Sequence, residues 1–236
     1  MLDVFFLSYN EPFAHDNYQI LLEKAPHAKR INGVTGFFQA HRACAEASMT
    51  HNFYVVDADA IIVDDFDFSF RPSSYNTIWN KPESDIMFVW SSRNPINDLQ
   101  YGYGGVKLLP KQLTLDMNTT TTDMTTSISK NFKAIKQVSN ITAFNSDPFS
   151  AWKSAFRECV KLSSKIIDRQ QDNETEHRLD VWCSKGANRP YGDFAIEGAK
   201  SGKKFGTENK DKLNYINDFD WLKKHFEETC NVSTYY

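Results

Sequence analysis

The stretch Phe53-Tyr54-Val55-Val56-Asp57-Ala58-Asp59-Ala60-Ile61-Ile62 decides how this chain folds. An apolar run rich in Val and aromatic residues, as here before Asp57, is typical of a buried strand. Side chains two positions apart on an extended segment point the same way, so Asp57 and Asp59 can present their carboxylates to one Mg²⁺ or Mn²⁺ that also holds phosphates. The alternative is a strand that turns out into solvent at two hydrated aspartates.

The segments before this strand alternate between strand and helix patterns. Strands are predicted at 4–7 and 28–31, and helices at 16–25 and 36–49. This order predicts an α/β fold, Rossmann-like, with a mixed, mostly parallel sheet flanked by helices. The polar loop from Ser8 to Glu11 follows the first strand, which is where α/β sheets place their ligands.

The remainder of the chain carries no repeat and no linker, so one domain is predicted over 1–236. Its first part, 1–60, is the nucleotide-binding half, and 61–236 is the acceptor-binding half. We expect 64–70 to form an exposed edge strand and 172–177 a polar loop. A short helix is predicted over 191–199 with its cap near Gly202, followed by a small strand over 203–206.

A long amphipathic helix is predicted from Pro148 onward. Asp147 directly before that proline is a typical N-cap. The polar face of the helix carries a basic stripe at spacings of four, made up of Lys153, Arg157, Lys161, Lys165 and Arg169. Such a stripe is either a solvated face or a surface that contacts phosphates.

The overall composition excludes several classes of protein. Of 236 residues, 41% are hydrophobic and 24% charged, as in ordinary globular proteins, and the net charge of −3 provides no global attraction to nucleic acid. The four cysteines form no Cys-x-x-Cys pair, which argues against structural zinc and a dense disulfide framework. With no apolar span and no signal-peptide pattern, we expect a cytoplasmic protein without a membrane partner.

Several motifs together resemble a known family. Asp57-Ala58-Asp59 has the form of the Asp-x-Asp motif of nucleotide-sugar glycosyltransferases. With the loop after the first strand and the segment from Tyr101 to Pro110, the chain resembles GT-A-fold glycosyltransferases. Over almost its full length it is similar to a compact family of glycosyltransferase-like proteins encoded by tailed phages. The similarity lies in Phe5 to Glu11, Phe53 to Asp59, Ser92 to Pro95, Tyr101 to Leu108 and Phe149 to Glu158.

The resemblance implies a GT-A-like, metal-dependent glycosyltransferase acting in the host-cell cytoplasm. The donor would be a UDP-sugar such as UDP-arabinose or UDP-glucose, with Mn²⁺ or Mg²⁺ as cofactor. The family includes candidates, arabinosyltransferases among them, for modification of 5-hydroxymethylcytosine in bacteriophage DNA. Two alternatives stay open: transfer to a protein or glycan acceptor, and a non-catalytic module that binds a nucleotide sugar or nucleic acid.

The resemblance also implies roles for individual residues. Asp57 and Asp59 would hold the metal, and Asp57 would also touch the donor ribose. The residues expected to contact the donor nucleotide are Ser8, Tyr9, Asn10, Glu11, Lys29, Arg30 and Arg42, with Tyr9 stacking on the uracil. Asp123 or Asp147 would serve as base in an inverting reaction. Candidates for a third metal ligand are His177, Asp193 and His225, and candidates for DNA contact are Lys153, Arg157 and Lys161.

Overall fold

The computed structural model describes residues 1–74, 76, 80–102, 104–120, 127–129, 131–166 and 170–230. The chain packs as two compact units. The first comprises Met1–Asn94 and Gln100–Ala143, and the second comprises Pro95–Leu99 and the chain from Phe144 onward.

The first unit is built on one sheet. Its strands are β1 Asp3–Ser8, β2 Lys29–Asn32, β3 Asn52–Asp57, β4 Ala60–Ile62, β5 Met87–Arg93, β6 Gln100–Tyr101, β7 Val106–Pro110 and β8 Phe132–Thr142. Its helices are α1 Ala14–Lys24, α2 Phe37–Ala47 and the short α3 Lys111–Leu115, and a 3-10 turn covers Glu83–Asp85. The predicted strands and helices up to β3 are confirmed.

The sheet is mixed, which confirms the α/β class with a mixed sheet. The prediction that it is mostly parallel is wrong, because among the strands that the structure describes β4, β6 and β7 enter antiparallel, which gives three parallel and four antiparallel pairings. Its strand order is β2-β1-β3-β7-β5-β8-β4, with β6 beside β5. Strand β1 is parallel to β2 and β3, and β5 is parallel to β8, whereas β7 runs antiparallel to both β3 and β5. The carboxyl ends of β1, β2, β3, β5 and β8 therefore lie at one edge, beside the start of β7.

Both faces of the sheet are buried, which explains the unbroken apolar runs of β1 and β3. On one face, Phe6 and Tyr54 pack in a cluster with Trp90. On the other, Phe5 and Val55 pack in a cluster that includes Cys44 and Ala45 of α2. Because successive side chains of a strand alternate between faces, a continuous hydrophobic run serves both clusters.

The segment 64–70 is not the predicted edge strand. Asp64, Asp65 and Asp67 are exposed, as expected for hydrated acids, but the backbone between them forms no ladder. The rings of Phe66 and Phe70 pack on Trp90 instead, at centroid distances of 5.6 and 5.4 Å. The alternation of aromatic and acidic residues thus reflects a loop that covers the sheet with its rings.

The second unit is helical. It contains α4 Pro148–Ser164, α5 Asp172–Ser184, α6 Gly192–Glu208 and α7 Phe219–Thr229, with a 3-10 turn at Leu213–Asn217. The predicted helices beginning at Pro148 and ending near Cys230 are confirmed. The predicted loop at 172–177 is wrong, because α5 begins at Asp172. The few buried residues of this helix lie among charged residues, which hides the helical period in the sequence.

Helix α6 continues through the positions predicted as a cap and a strand. Gly198, Gly202 and Gly206 recur every four residues along it, where a Cβ would come within 2.3 to 2.6 Å of the backbone carbonyl oxygens of Trp152, Phe156 and Val160 of α4. These glycines permit close packing of two helices, so here they mark an interhelical contact and not a helix end. Local sequence cannot separate these two uses of glycine.

Candidate functional site

The centre of the candidate site is an ion pair between Asp57 and Lys107. Asp57 ends β3, and its backbone N–H donates to the carbonyl of Gly105 at 2.9 Å. Lys107 lies in the adjacent β7, opposite Val55. Its Nζ donates to Oδ1 and Oδ2 of Asp57 at 2.8 and 2.7 Å and also to the carbonyl of Gly104. All three ammonium donors are therefore used within the protein.

The burial of Lys107 makes it dependent on its ion pair with Asp57. The side chain of Lys107 is 3% exposed and that of Asp57 is 34% exposed. A buried ammonium is tolerated only with its charge compensated and its donors satisfied, so Lys107 requires Asp57. Asp57 in turn is oriented by two hydrogen bonds and is partly neutralised, which leaves it a weaker ligand for a second cation.

Asp59 lies in a different environment from Asp57. Its side chain is recessed but keeps some contact with solvent. Burial and, after it, the negative charges of Asp57 and Glu11 together raise its pKa to about 7, with Lys107 acting in the opposite direction. Near neutral pH this carboxyl is poised between binding a proton and remaining charged, so a divalent cation would compete directly with the proton.

The turn between β3 and β4 that carries Asp59 is held at both sides. The buried Asn17 of α1 donates through Nδ2 to the carbonyl of Ala58 at 2.8 Å. The carbonyl of Asp59 accepts from the backbone N–H of Ala143, just after β8, at 2.6 Å. These contacts fix the position of the turn relative to α1 and to the end of β8.

A buried polar cluster lies beside the start of β7. Asn140 of β8 is fully buried, and its Oδ1 accepts from the hydroxyls of Ser92 and Ser139 at 2.9 and 2.8 Å. A Cβ on Gly105 would come within 2.6 Å of Asn140 Nδ2. Glycine is therefore needed for the backbone that precedes Lys107 to approach Asn140.

The loop after β1 divides into committed and exposed side chains. The hydroxyl of Ser8 donates to Asn32 Oδ1 and accepts from Arg30 Nε, both at 2.8 Å. The structure thus brings the predicted nucleotide contacts Ser8 and Arg30 together, but their side chains bond to each other. Tyr9 and Asn10 are exposed, with Tyr9 at 50%. The Tyr9 backbone N–H donates to Glu11 Oε2 at 2.7 Å. Tyr9 and Asn10 are thus the side chains of this loop that a ligand can reach.

Two other predicted nucleotide contacts lie elsewhere. Lys29 begins β2 opposite Phe5, and its Nζ is 3.3 Å from Oδ1 of Asp3, the first residue of β1. Arg42 is exposed on α2. The structure places Lys29 away from the edge that carries Asp57 and Asp59.

His41 is a buried histidine of α2 that the sequence did not single out. Burial lowers its pKa to about 4, and the positive charge of Lys107 acts in the same direction. Its Nδ1 is 2.7 Å from the carbonyl of Phe37, which assigns the proton to Nδ1. Nε2 is then a buried acceptor without a hydrogen-bond partner among the described residues.

The two candidate bases have different outcomes. Asp123 lies outside the described residues. Asp147 caps α4, as its position before Pro148 predicts: Oδ1 accepts from the Ser150 N–H at 2.8 Å, and Oδ2 accepts from the Ser150 and Ser146 hydroxyls at 2.7 and 3.0 Å. Burial alone would raise the pKa of Asp147, but these hydrogen bonds outweigh it and hold the pKa below its ordinary value. Such a carboxylate is a weak proton acceptor.

The candidate DNA-contacting residues Lys153, Arg157 and Lys161 lie half-buried on α4. Arg157 donates through Nε to the carbonyl of Ile216 at 2.7 Å and through a terminal nitrogen to Asn217 Oδ1 at 3.0 Å. Arg157 therefore has a structural task, and the stripe is not a simple solvated face.

The candidates for a third metal ligand all belong to the second unit. His177 and Asp193 are exposed there. His225 is half-buried among aromatic rings, 4.8 Å from Trp221 between ring centroids, and burial lowers its pKa. His225 is placed as a core histidine.

The donor set at the β3 edge fits a metal that brings its own remaining ligands. Among the described residues no group of three or more His, Cys, Asp or Glu side chains converges to hold a metal. Mg²⁺ is commonly bound by one or two carboxylates together with substrate phosphates, and Asp59 with Asp57 matches that pattern. The fit requires the diphosphate to complete the coordination.

A cavity of about 160 Å³ lies away from these acids. It is lined by the start of β1, the end of α1 and the segment 67–71. This is the amino-terminal side of β1, opposite the carboxyl edge where α/β sheets bind ligands. In the part of the chain that the structure describes, no helix is both long and apolar enough to cross a membrane.

Comparison of the chain with models of protein families, with curated proteins and with solved structures finds no match.

Proposed function

We propose that this protein is a metal-dependent glycosyltransferase of GT-A-like architecture that uses a UDP-sugar. The observation that carries the proposal is the contrast between two acids at the end of β3. Asp57 is locked to Lys107, whereas Asp59 is recessed and its burial raises its pKa to about 7. Asp57 is thus oriented and its charge is compensated by Lys107, whereas a bound cation would stabilise the ionised form of Asp59.

The site supports a nucleotide-diphosphate ligand for geometric reasons. Tyr9 and Asn10 are exposed at the carboxyl end of β1, next to β3 in the sheet. An exposed ring at this edge offers a stacking surface for the uracil, and Asn10 offers hydrogen bonds to the base or ribose. An antiparallel strand beside the strand that carries Asp-x-Asp is compatible with the proposed architecture.

Each site residue then has a task in sugar transfer. Asp59, as an ionised carboxylate that has given up its proton, would hold a Mn²⁺ or Mg²⁺ ion bound with the donor. That ion would supply Lewis-acid stabilisation of the charge on the leaving diphosphate. Asp57 faces the donor ribose with its orientation fixed by Lys107, while Asn17 and the backbone of Ala143 keep the turn that carries Asp59 in place.

The acceptor we propose is 5-hydroxymethylcytosine in phage DNA, as the family resemblance suggests. The net charge of −3 requires that any DNA contact be local. Lys153 and Lys161 on α4 are the cations we propose for it, while the guanidinium of Arg157 bonds to the 3-10 turn. A protein or glycan acceptor remains the alternative for the same chemistry.

The test is a transfer assay with a panel of UDP-sugars and Mn²⁺, offered hydroxymethylated or plain DNA, with mass analysis of the digested nucleosides. We expect a mass gain of one sugar on hydroxymethylcytosine alone, abolished by Asp59→Asn and kept by Asp65→Asn. Asp65 is an exposed acid six positions away and serves as the matched control.

Other outcomes of the assay separate the rival functions. Mn²⁺-dependent hydrolysis of UDP-sugar without DNA modification would keep the enzyme and reject the DNA acceptor. Binding of UDP without any turnover, equal in wild type and Asp59→Asn, would identify a non-catalytic module and reject the proposal.

A further inference from the structure

Three aromatic rings of the second unit form a stack that ends at the surface. The rings of Tyr215 and Trp221 are 5.1 Å apart and inclined by 14°, and those of Trp221 and His225 are 4.8 Å apart and inclined by 20°. His225 lies at the inner end of the stack, whereas Tyr215, on the 3-10 turn, is 42% exposed. With Trp221 against one face, Tyr215 offers its other face to a flat partner.

Two cations lie beside this stack. The Nζ of Lys153 and the guanidinium of Arg157 are 5.0 and 5.7 Å from the ring centroid of Phe219, which is 54% exposed. Arg157 also bonds to Ile216 and Asn217, in the same turn as Tyr215. Its guanidinium therefore contacts both the exposed ring of Phe219 and the turn that carries Tyr215.

We propose that this surface binds unpaired nucleotides, with a base stacked on Tyr215 and its phosphate facing Lys153. Sites for single-stranded nucleic acid combine an open aromatic face with nearby cations, because every base has a π-face and every nucleotide a negative charge. A base within a duplex is covered on both faces by its neighbours and cannot extend the stack. The partner is therefore single-stranded or locally unpaired nucleic acid, in preference to intact duplex.

This inference takes nucleic acid as the partner from the proposed function, but it needs no sugar transfer. It assigns a use to the basic stripe that differs from gripping a duplex. The half-buried Lys153 and Arg157 are gathered around Phe219, so the stripe contributes to a local stacking site and not to a long charged face.

The test measures the fluorescence anisotropy of a labelled oligothymidine and of its duplex with oligoadenosine. We expect wild-type protein to bind the single strand more tightly. Tyr215→Ala should weaken that binding by about fivefold or more, the lower range for a lost base–aromatic stack, and Tyr215→Phe should preserve it. Lys153→Gln should reduce the magnitude of the slope of log affinity against log salt by about 0.7, the value for one phosphate contact on a single strand.

Tyr191→Ala is the matched control, because Tyr191 is also an exposed tyrosine of this unit but lies outside the stack. Thermal melting verifies that each variant is folded. Equal binding by wild type and folded Tyr215→Ala, or preference for the duplex, overturns the inference. Hydrolysis of UDP-sugar in the absence of DNA tests the proposed activity of the first unit and does not involve Tyr215. If the protein hydrolyses UDP-sugar but Tyr215→Ala binds the single strand as well as wild type does, the nucleotide site at Tyr215 is rejected and the proposed activity is retained.

Discussion

Asp59→Asn should make the protein more stable at alkaline pH, by an amount that grows with pH. Burial and the charges of Asp57 and Glu11 raise the pKa of Asp59 from its ordinary value of 3.8 to about 7. The folded protein thus binds this proton more tightly than the unfolded chain does. The stability contributed by protonated Asp59 is complete below 3.8 and is lost as pH rises through about 7. Asparagine carries no charge at any pH and avoids the loss.

The magnitude follows from the difference between the two pKa values. Three pH units at about 1.4 kcal/mol each give about 4 kcal/mol as the upper bound, and partial contact of Asp59 with solvent reduces this to about 2 to 4 kcal/mol. We therefore expect the free energy of unfolding of Asp59→Asn, minus that of wild type, to increase by this amount between about pH 4 and about pH 8.

The measurement is urea unfolding across this pH range with UDP and without metal, repeated with UDP and Mn²⁺. Asp65→Asn should track wild type, because Asp65 is exposed. Mn²⁺, whose coordination the diphosphate of UDP completes, should stabilise wild type at alkaline pH and leave Asp59→Asn unchanged, since a ligand bound only by the folded state raises its stability. Parallel pH curves for wild type and Asp59→Asn would refute the recessed environment on which the metal proposal depends.

Three further results are expected. Asp57→Asn should cost about 3 kcal/mol or more in urea unfolding, because it leaves the buried ammonium of Lys107 without its counter-charge. Adding Lys107→Met should recover part of this loss, and full additivity of the two losses would argue against the pair. Tyr9→Ala should weaken UDP binding with Mn²⁺ by more than about 1 kcal/mol in calorimetry, and an unchanged affinity would remove Tyr9 from the site. Gly198→Ala should destabilise the protein by about 1 to 3 kcal/mol and lower its melting temperature, because the new methyl group would clash with the Trp152 backbone of α4. Alanine is the better helix former, so a raised melting temperature would contradict the close packing of the two helices.

The sequence predicted the first half of the fold well because local patterns there agree with the tertiary structure. Strands β1 and β3 are buried on both faces, so their apolar runs are unbroken and easily recognised. The prediction failed at α5 and α6. In α5 the stripe of buried residues is interrupted by charged residues, so no helical period is visible in the sequence. In α6 the glycines that suggested the end of a helix pack against the backbone of α4.

The candidate site shows the same division. The spacing of Asp57 and Asp59 was readable from the chain, as was the N-cap role of Asp147. Lys107 was missed, although a single lysine within the apolar run of β7 is a signal that it needs a buried partner.

What the sequence by itself determined is the α/β class, the position of the acids at the end of a buried strand, and most helix and strand positions before residue 60. Only the tertiary structure decided that Lys107 neutralises Asp57 while Asp59 is left recessed, and that Arg157 serves the 3-10 turn near α7. The physical reason is that periodicity and spacing report burial along one element. The charge state and the hydrogen-bond partners of a side chain depend on residues that folding brings from elsewhere, here fifty positions away for Asp57 and Lys107.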